Sequence, residues 1–463
     1  MRWPALPLAM VLAACAGPRT DAPVAATAAV PSAWIGTAGV PGTAQAQIDA
    51  RWWQAFGDPV LTQLVDDVLA GNTDLAIAAT RVEQARAQMA LVQGERMPSL
   101  SAAVSAARQG DVDAFGRARR QNAGQAELTL AYEVDLFGRL ASADAAARAS
   151  LLASQAAHDT VRLALAATTA SSYISLRAQD ARLEVLRATL DIRAASLKLA
   201  QQRVQSGYSP QLDLRQAEAE YSAAEQLIAA TVTGIRRQEN ALGVLLGKPP
   251  QLMRRGADLE VLQLPPIAPG LPTELLRRRP DIYQAEQQLV AADHTLDSAR
   301  AAFMPSFRIG LSGGYVDSNL LADPISIFSV GGSILAPLLD GGRLQAQADA
   351  ATARRDEAAF AYKRATLVAW REVEDALAAE DGAARQESAI LAQKQALAQA
   401  YALAGNRYRN GYSPYLEQLD AQRSLLSAEL SLVQVKADRL SAGVSLYQAL
   451  GGGWQVSSGA QRQ

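Results

Sequence analysis

Ser206-Gly207-Tyr208-Ser209-Pro210 returns 204 residues later as Asn410-Gly411-Tyr412-Ser413-Pro414. The same offset aligns Arg203 with Arg407, Leu212 with Leu416, Ala217 with Ala421, Ala224 with Ala428 and Glu225 with Glu429. Far upstream it aligns Gly138-Arg139-Leu140 with Gly342-Arg343-Leu344. A constant offset over that distance means one unit used twice. Each copy of the motif reads as a helix that stops, reverses and restarts. Glycine supplies the left-handed residue that ends a helix. Ser209 and Ser413 then offer N-cap oxygens, and Pro210 and Pro414 suit the first helical position. A single copy is an ordinary turn between helices. Two copies at matching places point to a paired functional tip.

Length alone, at 463 residues, suggests about three domains. The repeat argues for one elongated body instead. Hydrophobic residues make up 49% of the chain but aromatics only 5%, and small side chains suit closely spaced helices. A net charge of −2 leaves no footprint for nucleic acid. Residues 1–14 read as a signal peptide, with Arg2 ahead of an apolar run from Leu6 to Ala14 that is too short to span a bilayer. Leu12-Ala13-Ala14-Cys15 resembles the bacterial lipobox. That resemblance implies a lipid on Cys15, the chain's one cysteine, and Ala16 after it implies sorting to the outer membrane. Residues 15–50, rich in Ala, Pro, Thr and Gly, read as an extended tether.

The folded part divides into a first repeat (51–246), a Pro-rich linker (247–272), a second repeat (273–450) and a tail (451–463). Short helices are expected from Val60 to Ala70 and Thr73 to Arg96, with Asn72 as the cap between them and Pro98 as the stop. The period then changes to two. Ala126, Leu128, Leu130, Tyr132, Val134 and Leu136 alternate with Glu127, Thr129, Ala131, Glu133 and Asp135. A weaker partner strand covers Ser99 to Arg108. In the second repeat Phe307, Ile309, Leu311 and Tyr315 alternate with polar or glycine residues, as do Phe328, Val330, Ile334 and Leu338.

Each repeat thus supplies one hairpin of strands about ten residues long. Such alternation fits an ordinary soluble sheet and fits a membrane barrel. Four strands cannot close a barrel, because small ones need about eight. Three copies would give about twelve.

From Gly138 to Gln205 no Pro or further Gly interrupts the chain, enough for roughly 100 Å of helix. Leu176, Leu183, Leu190, Leu197 and Val204 recur every seven residues. The stretch from Gly342 to Arg409 is its counterpart, with Gly382 and Gly405 as expected points of bending. Beyond each tip a returning helix carries an apolar seam: Leu214, Ala217, Tyr221, Ala224, Ile228 and Leu242 in one, Leu419, Leu426, Val433, Leu440 and Tyr447 in the other. Thr273 is expected to cap a helix start and Pro280 to open another that runs to Ala302.

One Cys and two His build no zinc site, and no nucleophile-elbow, P-loop or dinucleotide fingerprint occurs. No enzyme and no cofactor are expected. Arg51-Trp52-Trp53 with Phe56-Gly57-Asp58-Pro59, Tyr132 to Arg139, Arg278-Arg279-Pro280-Asp281-Ile282, and Tyr447 to Trp454 together resemble the TolC/OprM-type outer-membrane efflux lipoproteins over nearly the whole mature chain. The resemblance implies an α+β subunit, mostly long coiled-coil-like helices forming a periplasmic α-barrel. Its four strands would contribute to a trimeric, twelve-stranded transmembrane β-barrel in the outer membrane.

Implied partners are a homotrimer, a periplasmic adaptor, an inner-membrane pump of the proton-driven RND type and outer-membrane lipid. The adaptor-contact tips map to Gly207, Tyr208, Ser209 and Pro210 and to Gly411, Tyr412, Ser413 and Pro414. The family's periplasmic gate maps to Leu416 and Asp420, with Glu417 and Asp213 as further acidic positions. Leu416 and Asp420 lie four apart, on one helix face, so three copies could stack an apolar ring on a ring of carboxylates. The family's type member has an arginine two residues after the second tip glycine. Ser413 stands there, so that salt bridge is lacking. Two other readings stay open: a duct for type I polypeptide secretion, and a coiled-coil lipoprotein without a pore.

Overall fold

The computed structural model describes residues 21–37, 48–112, 114–263 and 270–455. Cys15, the proline-rich 264–269 and the tail beyond Gln455 lie outside them. In chain order the elements are α1 (Pro59–Gly71), α2 (Thr73–Gly94), β1 (Ser99–Val112), β2 (Ala118–Val134), α3 (Arg139–Gln205), α4 (Gln211–Leu245), α5 (Pro272–Arg278), α6 (Pro280–Ala301), β3 (Ser306–Ser318), β4 (Ile325–Leu335), α7 (Arg343–Arg409) and α8 (Tyr415–Ala449). α3 and α7 are each 67 residues long, and α4 and α8 each 35, so the repeat holds at full length. No described helix is long and apolar enough to cross a membrane.

Two compact units result. The first is built from 80–156 and 283–365, with 21–28 laid against it. Its centre is one antiparallel sheet in the order β1-β2-β3-β4. The register puts Leu100 opposite Leu130, Leu130 opposite Leu311 and Leu311 opposite Val330. The next rung on that face is Ala102, Leu128, Gly313 and Phe328. On the other face Ser101, Thr129, Ser312 and Ser329 align, as do Glu133, Arg308 and Ser333. Directly opposed residues share a face, so the sheet has one apolar and one polar side. Leu128, Phe328 and Val330 are all exposed. β2 turns into α3 through Gly138, while Asp135 accepts from the Ala141 amide (2.7 Å) and Arg139 meets Glu133 (2.6 Å).

The second unit takes in 29–79, 157–282 and 366–463 so far as they are described. Trp52, Trp53 and Phe56 pack with Tyr173, Ile174, Val444 and Tyr447, and Trp52 stacks on Tyr447 at 5.1 Å. Asp58 caps α1 from a buried position. It accepts from Val60 N and Leu61 N, from the Tyr173 hydroxyl (2.7 Å) and from Ala257 N (3.0 Å). Arg279 is buried and donates to Asp281, Glu372 and the Ala449 carbonyl, tying the end of α8 to α7. The closing glycines sit where side chains do not fit: a Cβ on Gly451 would come within 2.0 Å of the Arg278 carbonyl oxygen. The motifs that carry the family resemblance are thus largely packing and capping residues.

Several expectations need correction. The strands run 11 to 17 residues rather than about ten, and Leu136 and Leu338 fall outside them. Gly382 and Gly405 do not interrupt α7, because the residues beside them are strong helix formers that outweigh two glycines. α5 starts two residues early, capped at Leu271, with Pro272 at its first position and Thr273 inside it. The stretch 21–37, expected to be an extended tether, carries short turns at Val24–Ala26 and Ile35–Thr37. In the first unit Arg355 and Lys363 donate to the carbonyls of Asp21 and Ala25. In the second, Glu374 accepts from the amides of Ile35 and Gly36, and Trp34 donates to the Gly270 carbonyl.

Candidate functional site: the helical tips

Both repeats end their long helix in the same hydrogen-bond pattern. Tyr208 N donates to the Arg203 carbonyl and Gly207 N to that of Val204, while Tyr412 N and Gly411 N do likewise to Arg407 and Tyr408. Gly207 and Gly411 have φ of 75° and 79°, the left-handed closure in which a Cβ would be strained. The restart differs from expectation. Pro210 (φ −71°, ψ 156°) and Pro414 (φ −69°, ψ 161°) are themselves the N-caps, without a side-chain cap. Proline disfavours a helical residue before it, so Ser209 and Ser413 stay outside the helix. The proline carbonyls accept from Asp213 N and Glu417 N, so both acids occupy the first turn, where a negative charge suits the helix dipole.

The two tips are alike in backbone and unlike in side-chain pairing. Arg203 crosses to the other hairpin, donating to the carbonyls of Tyr408 (3.1 Å) and Arg409 (3.0 Å) and lying 4.4 Å over the Tyr408 ring. Its repeat partner Arg407 stays at home and meets Glu417 at 3.3 Å. Tyr408 and Tyr415 are buried with Ala200, Ala217 and Leu419. That burial pushes their hydroxyls up, Tyr415 to about 12.

Three helices meet at a buried carboxylate that the sequence reading did not single out. Glu220 on α4 gives Oε2 to Arg193 Nη2 of α3 (2.8 Å) and Oε1 to Arg423 Nε of α8 (2.8 Å). Arg193, itself buried, also donates to the Glu220 carbonyl at 2.7 Å. The hydrogen bond to Glu220, and beyond it the Asp420 carboxylate, push the Arg423 guanidinium up. Leu416, Asp420 and Arg423 form one stripe of α8, and all three are exposed on the subunit. Tyr208, Tyr412 and Leu212 are exposed as well, at 86%, 79% and 62%. Ser209, Ser413 and Asp213 are half-buried. The tips therefore present apolar and acidic side chains outward over a cross-hairpin lock of Arg203, Arg193, Glu220 and Arg423. Among the described residues no group of His, Cys, Asp and Glu could hold a metal ion.

The sequence profile of outer membrane efflux proteins matches residues 64–248 and 271–452. The pyoverdine export outer membrane protein OpmQ of Pseudomonas putida is 35% identical, over 98% of this chain and 97% of that protein. Outer membrane protein OprJ of Pseudomonas aeruginosa is 37% identical over 97% and 95%. Among solved structures, the open-state MtrE outer membrane channel of Neisseria gonorrhoeae aligns with a TM-score of 0.82 at 30% identity, covering 94% of this chain and 98% of that one. This chain belongs to the outer membrane efflux protein family.

Proposed function

We propose that three copies of this chain assemble into a duct. Their sheets close a twelve-stranded barrel in the outer membrane, and their helices enclose a tunnel in the periplasm. The observation that carries this reading is the two-faced sheet. One face is exposed and apolar, the other polar, and β1 and β4 are both edges. Unpaired strand edges are not tolerated in lipid, so neighbouring subunits have to complete the ring.

The exposed tyrosines and leucine of the tips suit docking on a periplasmic adaptor that brings an inner-membrane pump of the RND type to the duct. Cys15 anchors the chain by its lipid. Relatives are named for pyoverdine export and for toluene efflux. Those names favour small-molecule cargo over secreted polypeptides.

Leu416 and Asp420 form the resting constriction of this duct. Purified trimer in a planar bilayer is expected to conduct weakly. Leu416→Ala combined with Asp420→Ala is expected to raise single-channel conductance about five-fold or more, as an apolar ring and its carboxylates leave the pore. Conductance equal to the parent's would remove both residues from the gate. Failure of the parent to insert at all would remove the barrel.

A further inference from the structure

The apolar face of the sheet does not stay apolar to its end. On β1 that face reads Leu100, Ala102, Val104, Ala106, Arg108, and on β2 it reads Val134, Tyr132, Leu130, Leu128, Ala126, Gly124, Asn122, Arg120. Arg108 stands opposite Asn122, and Arg120 opposite Gly110, the next position on the same face. The pairing from Ser99–Ala131 to Val112–Ala118 is unbroken, so both guanidinium groups project from the side that carries the leucines.

Both arginines are exposed, and among the described residues neither has a carboxylate within ion-pairing distance. Arg119, by contrast, stands opposite Asp111 on the polar face. The one acid that the register puts on the apolar face is Asp317, opposite Gly124. Two guanidiniums against one carboxylate leave an excess of positive charge there.

The height of the pair is the second observation. The apolar rows begin at Val134, opposite Phe307, which in turn faces Ile334. Asn122 is twelve residues further along β2. At ~3.4 Å per residue and a tilt of ~40° that is about 30 Å of rise, against an apolar band of about 25 Å in outer-membrane barrels. The pair therefore stands at head-group level, on the side of the membrane away from the helices. Tyr315, opposite Ala126 and exposed, sits just below it, where aromatic girdles lie.

We propose that Arg108 and Arg120 hold the phosphate of a phosphorylated lipid in the outer leaflet, its acyl chains lying on Val104, Leu128 and Leu130. The guanidinium fork binds phosphate oxygens two at a time, and the leucines below bind only chains. The occupant is therefore a lipid, not a free anion. This assignment rests on the barrel reading above.

The full-length protein tests it in nanodiscs of phosphatidylcholine carrying a small fraction of diphosphoryl lipid A, with bound lipid counted by native mass spectrometry of the trimer. The parent is expected to retain lipid A. Arg108→Ser with Arg120→Ser is expected to retain about tenfold less, and Arg119→Ser the parent's amount. Millimolar inorganic phosphate is expected to leave retention unchanged. Equal retention by parent and double variant overturns the site, as does an equal loss in Arg119→Ser. Displacement by inorganic phosphate overturns the lipid assignment. Flotation of parent and variants with vesicles of phosphatidylcholine alone separates the two readings. If the parent does not float, the barrel falls and the site with it. If all float and retention is equal, only the site falls.

Discussion

Glu220→Ala is expected to release the second helical hairpin from the first at the tips. The carboxylate divides its oxygens between Arg193 and Arg423, and through them it joins α3, α4 and α8. Its removal leaves Arg193, only 4% exposed, without a counter-charge. Breaking a buried pair from one side costs about 3–5 kcal/mol. The bond from Arg193 to the residue-220 carbonyl survives the substitution, which favours the lower end of that range. α8 itself is tied to Glu220 only through the exposed Arg423, so about 1.5–3 kcal/mol of this reaches its docking. At ~1.4 kcal/mol per factor of ten, α8 should detach roughly ten- to a hundred-fold more often.

Hydrogen exchange of the amides from residue 411 to 425 reads this directly, since such local opening sets their protection. Glu220→Gln keeps an acceptor but loses the charge, so it should fall between parent and alanine. The proposed trimer should also conduct more in the alanine variant, because Asp420 and Leu416 ride on the freed helix. Exchange within twofold of the parent would show that the packing of Tyr408, Tyr415 and Leu419 alone holds the tips.

This latch was not legible in the sequence, and the reason is physical. The heptad line Leu176, Leu183, Leu190, Leu197, Val204 is a sound guide only in its first half, where Leu176 and Leu183 are buried. Towards the tip its members are only half-buried within the subunit. The buried seam there is Leu186, Thr189, Arg193, Ser196 and Ala200. Apolar periodicity cannot find a seam that carries Thr, Arg and Ser, because nothing in the pattern says which arginine has a buried acid across from it.

The repeat, the tip turns and the strand alternation were legible because each rests on local chemistry: a left-handed glycine, a proline, a period of two. The serine caps failed for a local reason too, since proline displaced them by one position. The asymmetry of Arg203 and Arg407 is the opposite case. The residues are identical, the backbones match, and only packing between hairpins decides that one crosses over and the other pairs at home.

Leu128→Arg is expected to keep the protein out of the bilayer, with the larger effect of the two. Leu128 is six residues from Val134 along β2, half of the rise to Asn122, so in the barrel it lies at the midplane. Its neighbours across the ladder are Ala102 and Gly313, with Phe328 beyond, and none can neutralise a charge. An arginine at the midplane of a barrel's lipid face costs about 2–4 kcal/mol, hence about 6–12 kcal/mol for three copies. Thr129→Arg is the matched control, one residue on and on the face of Ser101, Ser312 and Ser329. Facing water in the lumen, it should insert as the parent does.

The measurement is the share of protein that floats with vesicles and migrates as a trimer until heated. A strong loss for Leu128→Arg beside little change for Thr129→Arg identifies the leucine face as the one in lipid. The reverse order would turn the sheet inside out and place Leu128 in the lumen. Equal insertion of both variants would mean that neither face meets hydrocarbon. The exposed leucines would then need a protein partner rather than a membrane to cover them.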